Sequence, residues 1–98
     1  IFGPVLVANR FEQEAQAIQL ANQTPFGLGA SVWTNDVNRI HRLIPAIQAG
    51  TVWVNTHNML DPHMPFGGFK QSGVGREHGK ASVEAYLEPK SVCIAYAK

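Results

Sequence analysis

ASVWTNDVNRIHRLIPAIQAGTVWVN, residues 30–55, sets two short apolar stretches on either side of a segment with helical spacing. Residues 30–34 (ASVWT) and 51–55 (TVWVN) are rich in β-branched and aromatic side chains and have the length of strands. Between them Val37, Ile40, Ile44 and Ile47 recur at i, i+3, i+7 and i+10, one face of a helix. Thr34 or Asn35 is placed to cap that helix and Gly50 to end it. Pro45 lacks the N–H that would bond the His41 carbonyl, which predicts a kink or a loosened last turn. A strand, a helix and a second strand in this order form a parallel crossover unit.

Outward from this stretch the alternation continues. Residues 5–11 (VLVANRF) read as a short, mostly buried strand. Residues 12–22 then change period, with Phe11, Ala15, Ile18 and Ala21 near helical spacing and Glu12 and Glu14 suited to the positive end of a helix. Pro25 and Gly27 read as turn residues. The expected fold class is α/β, a three-stranded parallel sheet with crossover helices. Right-handed crossovers put both helices on one face, and a parallel sheet needs cover on both. The unit is therefore incomplete as an isolated domain. After Asn55 an irregular stretch runs to about Gly79, followed by a helix over 80–87 and a last strand over 90–96 (KSVCIAY). No internal repeat or low-complexity segment is present.

Composition excludes several functions. The chain has 98 residues, 45% of them hydrophobic, so it is one globular unit at most and not a disordered one. A net charge of +1, with no run or stripe of Lys and Arg, carries no nucleic-acid footprint. The apolar runs fall far short of the roughly 20 residues that span a bilayer, and no signal-peptide pattern opens the sequence, so no membrane partner is expected. Cys93 is the only cysteine, which rules out an internal disulfide and points to a cytoplasmic setting. The sequence opens on IFGPV without a methionine, as a cut segment would.

Chemistry is sparse. Cys93 lies in an apolar stretch, where a structural thiol is the plainer reading. His41, His57, His63 and His78 lack metal-ligand spacing and cysteine partners, so they read as solvated or loop-tethered. Gly73, Gly75 and Gly79 spell G-x-G-x-x-x-G, one residue too long for a dinucleotide fingerprint and not preceded by a strand. No complete catalytic site and no metal site can be assembled from these residues. The segment 63–79 (HMPFGGFKQSGVGREHG) nonetheless concentrates five glycines around Phe66 and Phe69. Such a loop can follow a path that other residues could not.

Five stretches carry a resemblance. IFGPV, LANQTPFGLGASVWT, AGTVWVN, MPFGGFKQSGVGREHG and the closing KSV together resemble the C-terminal stretch of the aldehyde dehydrogenase superfamily, in order, over essentially all 98 residues. The resemblance implies a parent enzyme that oxidises an aldehyde to a carboxylic acid with NAD or NADP, through a cysteine thiohemiacetal and a thioester. It places the cysteine, the glutamate base and the Rossmann-type domain in the remainder of the enzyme chain. Phe2 and Leu28 match residues beside the nicotinamide; Asn55 matches the asparagine that ends the strand under the active-site loop. Asn58, Leu60 and Phe66 match residues of the aldehyde tunnel. Residues 1–90 are then the C-terminal segment of the catalytic domain and 91–98 an oligomerisation strand that joins a sheet of a neighbouring subunit in a dimer or tetramer. THNMLDPHMPFGGFK with KSVCIAY looks most like phenylacetaldehyde-type enzymes, with betaine-aldehyde and aliphatic relatives next. Leu60 replaces an aromatic of many relatives, which disfavours a cage for a choline-like cation. The alternative reading is a non-catalytic structural or interaction module derived from the same fold.

Overall fold

Residues 3–97 are described by a computed structural model. Helix α1 spans Glu14–Asn22 and is followed by two short strands, β1 (Phe26–Gly27) and β2 (Gly29–Val32). Helix α2 (Val37–Ala46) leads to β3 (Thr51–Val54), and β4 (Phe69–Lys70) and α3 (Gly79–Glu84) follow. The decisive unit forms as the spacing predicts: β2 and β3 pair in parallel, Gly29 beside Thr51 and Val32 beside Val54, with α2 as the crossover. Strand β1 pairs antiparallel with β4, so Gly27, read as a turn residue, faces Phe69 across a ladder.

Helix α2 differs in detail from its pattern. Its cap is Asp36, not Thr34 or Asn35: the Asp36 carboxylate accepts from Arg39 N at 3.1 Å. Thr34 Oγ1 instead accepts from Asp36 N at 3.2 Å, one step earlier. The helix stops at Ala46, before Gly50: Ile47 N still bonds the Leu43 carbonyl at 3.0 Å, but Ile47 itself is extended, at φ −86° and ψ 125°. The stranded Ala46 carbonyl is met by Asn22 Nδ2 at 2.8 Å, while Asn22 Oδ1 accepts from Gln48 N at 2.8 Å. One side chain thus ties the ends of both helices together. Leu43, with half-buried Ile40 and Ile47, faces inward, whereas Val37 is 62% exposed. The apolar face is rotated from the one that Val37 and Ile44 mark.

On the outer surface Glu14 receives Arg42 through two bonds of 2.9 Å and Arg39 Nε at 3.2 Å. The Arg42 hydrogen bonds hold the Glu14 carboxyl below its ordinary range, and Glu14 in turn raises Arg42. Their contribution is present above the unfolded carboxylate pKa and is lost as pH falls through the lowered one. Exposure keeps it small.

Two expected strands do not form within the chain. Residues 5–11 lie outside any described ladder and are exposed, Leu6 at 91%. Residues 90–96 are likewise outside any described ladder, with Val92, Ile94 and Tyr96 all exposed. Among the described residues the strands form two separate two-stranded sheets, not a three-stranded one. No described side chain is fully buried. The radius of gyration is 19.5 Å, against about 13 Å for a compact chain of this size.

The glycine-rich return is locked to the sheet where Gly50 abuts Gly67. A Cβ on Gly50 would overlap the Gly67 carbonyl oxygen and lie 3.2 Å from Gly68 Cα, all of it backbone that cannot step aside. Gly50→Ala is therefore expected to cost about 1–3 kcal/mol and to lower the thermal midpoint of the protein carrying this chain. Gln48→Ala, which removes an exposed side chain, should leave the midpoint unchanged in the same melt.

Candidate functional site

The site grows from the end of β3. Asn55 sits at φ 54°, a left-handed conformation that asparagine tolerates. Its side chain accepts from Thr34 N and donates to Thr34 O, both at 2.9 Å, so it stitches the end of β2 to the end of β3. The chain then turns through residues 56–60, where Asn58 also takes a positive φ of 57°. Trp53 Nε1 reaches forward to the Met59 carbonyl at 2.8 Å and holds the loop back over the sheet. The Trp53 ring has room because Gly29, on the neighbouring strand, has no side chain: a Cβ there would meet Trp53 Cζ3 at 2.7 Å.

Phe66 comes from the other direction. Its N–H and carbonyl exchange two 2.7 Å bonds with those of Glu77, an isolated bridge that closes the base of the glycine-rich segment. Within that segment Arg76 donates to the Gly68 carbonyl at 3.0 Å and lies over the Phe69 ring, 5.7 Å from its centroid. Gly79 N donates to the Pro62 carbonyl at 2.8 Å. The segment is tied at several points and contains no helix N-terminus of useful length, so nothing in it resembles a phosphate cradle.

Between the two sides lies a hollow of about 350 Å³, lined by Val52, Trp53, Met59, Leu60, Met64 and Phe66 among others. Its size and apolar lining suit a small, largely apolar ligand. Leu60 and Phe66, both predicted to face an aldehyde, are brought together here. Asn58 is on the same loop but exposed and outside the lining. Leu28 is elsewhere, 47% exposed on a separate shallow hollow with Phe26, Ala30 and Ile47. Phe2 lies outside the described residues. Cys93 is exposed and lies outside the described helices and strands. Among the described residues no group of three His, Cys, Asp or Glu could hold a metal ion, and no helix is long and apolar enough to cross a membrane.

A larger hollow of about 560 Å³ lies between α1, α2 and β2, lined by Ile18, Val32, Leu43 and Ile47. These are core-type side chains, and the charged groups at its lip, Glu14 and Arg39, are paired with each other. It is uncovered core rather than a site. Sequence reading missed what holds the smaller hollow in shape. Trp53, Ser31 and His57 sit up to 26 positions apart, and only the parallel register joins them.

With this geometry in hand, comparison with known proteins is specific. A model of the aldehyde dehydrogenase family matches residues 1–92. The chain belongs to the aldehyde dehydrogenase family. It is 57% identical over 96 residues to a phenylacetaldehyde dehydrogenase from Pseudomonas fluorescens, covering 98% of this chain and 19% of that enzyme. Among solved structures, an NAD+ complex of an aldehyde dehydrogenase from Bacillus cereus superposes with a TM-score of 0.89 at 44% identity, covering 93% of this chain and 18% of the other. An indole-3-acetaldehyde dehydrogenase from P. syringae, solved with NAD+ and IAA, gives 0.79 at 46% identity, covering 84% and 17%. The chain thus spans about a fifth of the length of these relatives.

Proposed function

We propose that this chain is the C-terminal segment of an NAD(P)-dependent aldehyde dehydrogenase and forms one wall of its aldehyde tunnel. The observation that carries the reading is the apolar hollow in which Leu60 and Phe66 converge from two loops. An aldehyde offers one polar atom and an apolar remainder, and a wall of this composition binds the remainder while leaving the carbonyl to groups supplied elsewhere. The parent enzyme oxidises the aldehyde to a carboxylic acid through a cysteine thiohemiacetal and a thioester. Neither nucleophile nor base is assigned to this segment, so the 98 residues alone are inactive.

The proposed substrate class is an aryl-substituted acetaldehyde. The identity to the phenylacetaldehyde enzyme supports it, as does a hollow bounded by Trp53 and Phe66, whose rings offer flat apolar contact. Asn58, on the same loop but outside the lining, is proposed as a further substrate contact. Leu28, apolar and half exposed, has the character of a surface on which a nicotinamide ring packs, and Phe2 joins it by its place in the IFGP motif. When bound, NAD or NADP supplies the acceptor for the hydride; these two residues would hold its nicotinamide end. The setting proposed is cytoplasmic.

Residues 91–98 are proposed as an oligomerisation strand. Val92, Ile94 and Tyr96 alternate with Ser91, Cys93 and Ala95, and residues 91–97 are exposed. An apolar strand without a ladder is a standing site for pairing with another chain.

Two experiments test these assignments in the complete enzyme. Phe66→Ala removes an apolar contact worth about 1–3 kcal/mol to a bulky substrate, so kcat/KM for phenylacetaldehyde should fall well beyond that for acetaldehyde. Equal losses would reduce Phe66 to a packing residue. Deleting residues 91–98 should shift the enzyme to smaller oligomers in analytical ultracentrifugation; a folded protein of unchanged mass would make the strand an intrachain element.

A further inference from the structure

Residues 56–60 carry Leu60 to the apolar hollow, and among the described residues only two hydrogen bonds reach them. One is Trp53 Nε1 to the Met59 carbonyl, 2.8 Å. The other joins His57 Nδ1 to Ser31 Oγ at 2.7 Å, a short bond that either tautomer of the ring can make. Ser31 and Trp53 are register partners on β2 and β3, so both anchors stand side by side on the sheet. The His57 ring meets the Trp53 indole nearly edge-on, with centroids 5.2 Å apart and an interplanar angle of 65°. His57 is thereby fixed twice, by a hydrogen bond at one ring atom and by ring contact. The indole is fixed in turn by the space over Gly29. Ser31, His57 and Trp53 act as one clasp across the parallel pair, and they grip the loop on both sides of Asn58.

We propose that His57 is a positioning residue that sets the aldehyde preference of the hollow by holding the Leu60 wall through Ser31. The inference rests on the tunnel reading of the same hollow. It goes further by assigning the selectivity to two polar residues that do not line it. A small aldehyde does not extend to the Leu60 wall, so a loosened loop costs it nothing. A ring needs the wall in place, and each substrate molecule must re-order a loosened loop to bind. The loss therefore falls on KM for the larger substrate and not on the chemical step.

The test uses the complete enzyme with phenylacetaldehyde and acetaldehyde. Ser31→Ala deletes the hydroxyl, and His57→Phe keeps a ring against Trp53 while deleting the nitrogen. Each should raise KM for phenylacetaldehyde roughly five- to tenfold, the worth of one neutral hydrogen bond. The kcat and the acetaldehyde KM should stay within about twofold. The double variant should be no worse than either single one, since both break the same bond. Ser31→Thr, which restores a hydroxyl, should recover the parent KM. Hydrogen exchange gives a readout independent of turnover: the Trp53 indole N–H, which bonds the Met59 carbonyl, should exchange faster in Ser31→Ala. Unchanged exchange overturns the clasp, and equal loss for both aldehydes or a fall in kcat overturns its role in selectivity. A parent enzyme that oxidises neither aldehyde overturns the tunnel reading and the selectivity with it, while the exchange measurement still decides the clasp.

Discussion

The contact between Gly50 and Gly67 is the constraint on which the arrangement of the site depends. Two backbones meet there with no space for a side chain on the first. Gly50 leads directly into β3, and Gly67 follows Phe66. Their contact therefore fixes the return segment against the start of the strand that carries Trp53. The Phe66–Glu77 bridge sets the other end of that return, and Gly50 N bonds the Gly27 carbonyl at 3.0 Å to tie in β1. In residues 63–79, Gly67, Gly68 and Gly79 allow close approach of chain to chain, whereas Gly73 and Gly75 stand in open space and take positive φ.

Satisfaction of backbone groups explains much of the remaining order. Pro45 and the early stop of α2 leave carbonyls without partners, and Asn22 supplies one donor. Lys70 Nζ does the same for the end of α1, donating to the Asn22 carbonyl at 2.7 Å and the Thr24 carbonyl at 3.0 Å, where a cation is also favoured by the helix dipole. Lys70 and Ser72 come from the return segment, and Ser72 Oγ accepts from Gly27 N at 2.8 Å. Helices α1 and α2, strand β1 and the return segment are thus coupled through a few polar side chains in place of a large core.

How much of this was legible in the sequence depended on the range of the interaction. The unit from β2 through α2 to β3 was legible because periodicity is local and the crossover rule is strong. The choice of helix face was less so. Ile40 and Ile47 fit two neighbouring apolar stripes, and only the packing of Leu43 decides between them. Asp36 competes for the cap with Thr34 and Asn35 within three positions, all chemically suitable. Residues 5–11 have the composition of a strand, yet a strand exists only where a partner does, and no described residue provides one. Leu60 and Phe66 could be placed together from family resemblance. Ser31 and His57 could not: a serine in a strand and a histidine in a loop carry no mark of each other until the register brings them within 2.7 Å.

The most direct measurement is a crystal structure of the complete enzyme with a bound arylacetaldehyde, or with the arylacetic acid it yields. The aryl ring should lie in the hollow between Leu60 and Phe66, with the carbonyl carbon directed out of this segment toward a cysteine supplied elsewhere in the chain. A ring bound away from that hollow, with Phe66 covered by the protein's own side chains, would contradict the assignment of this segment as the tunnel wall.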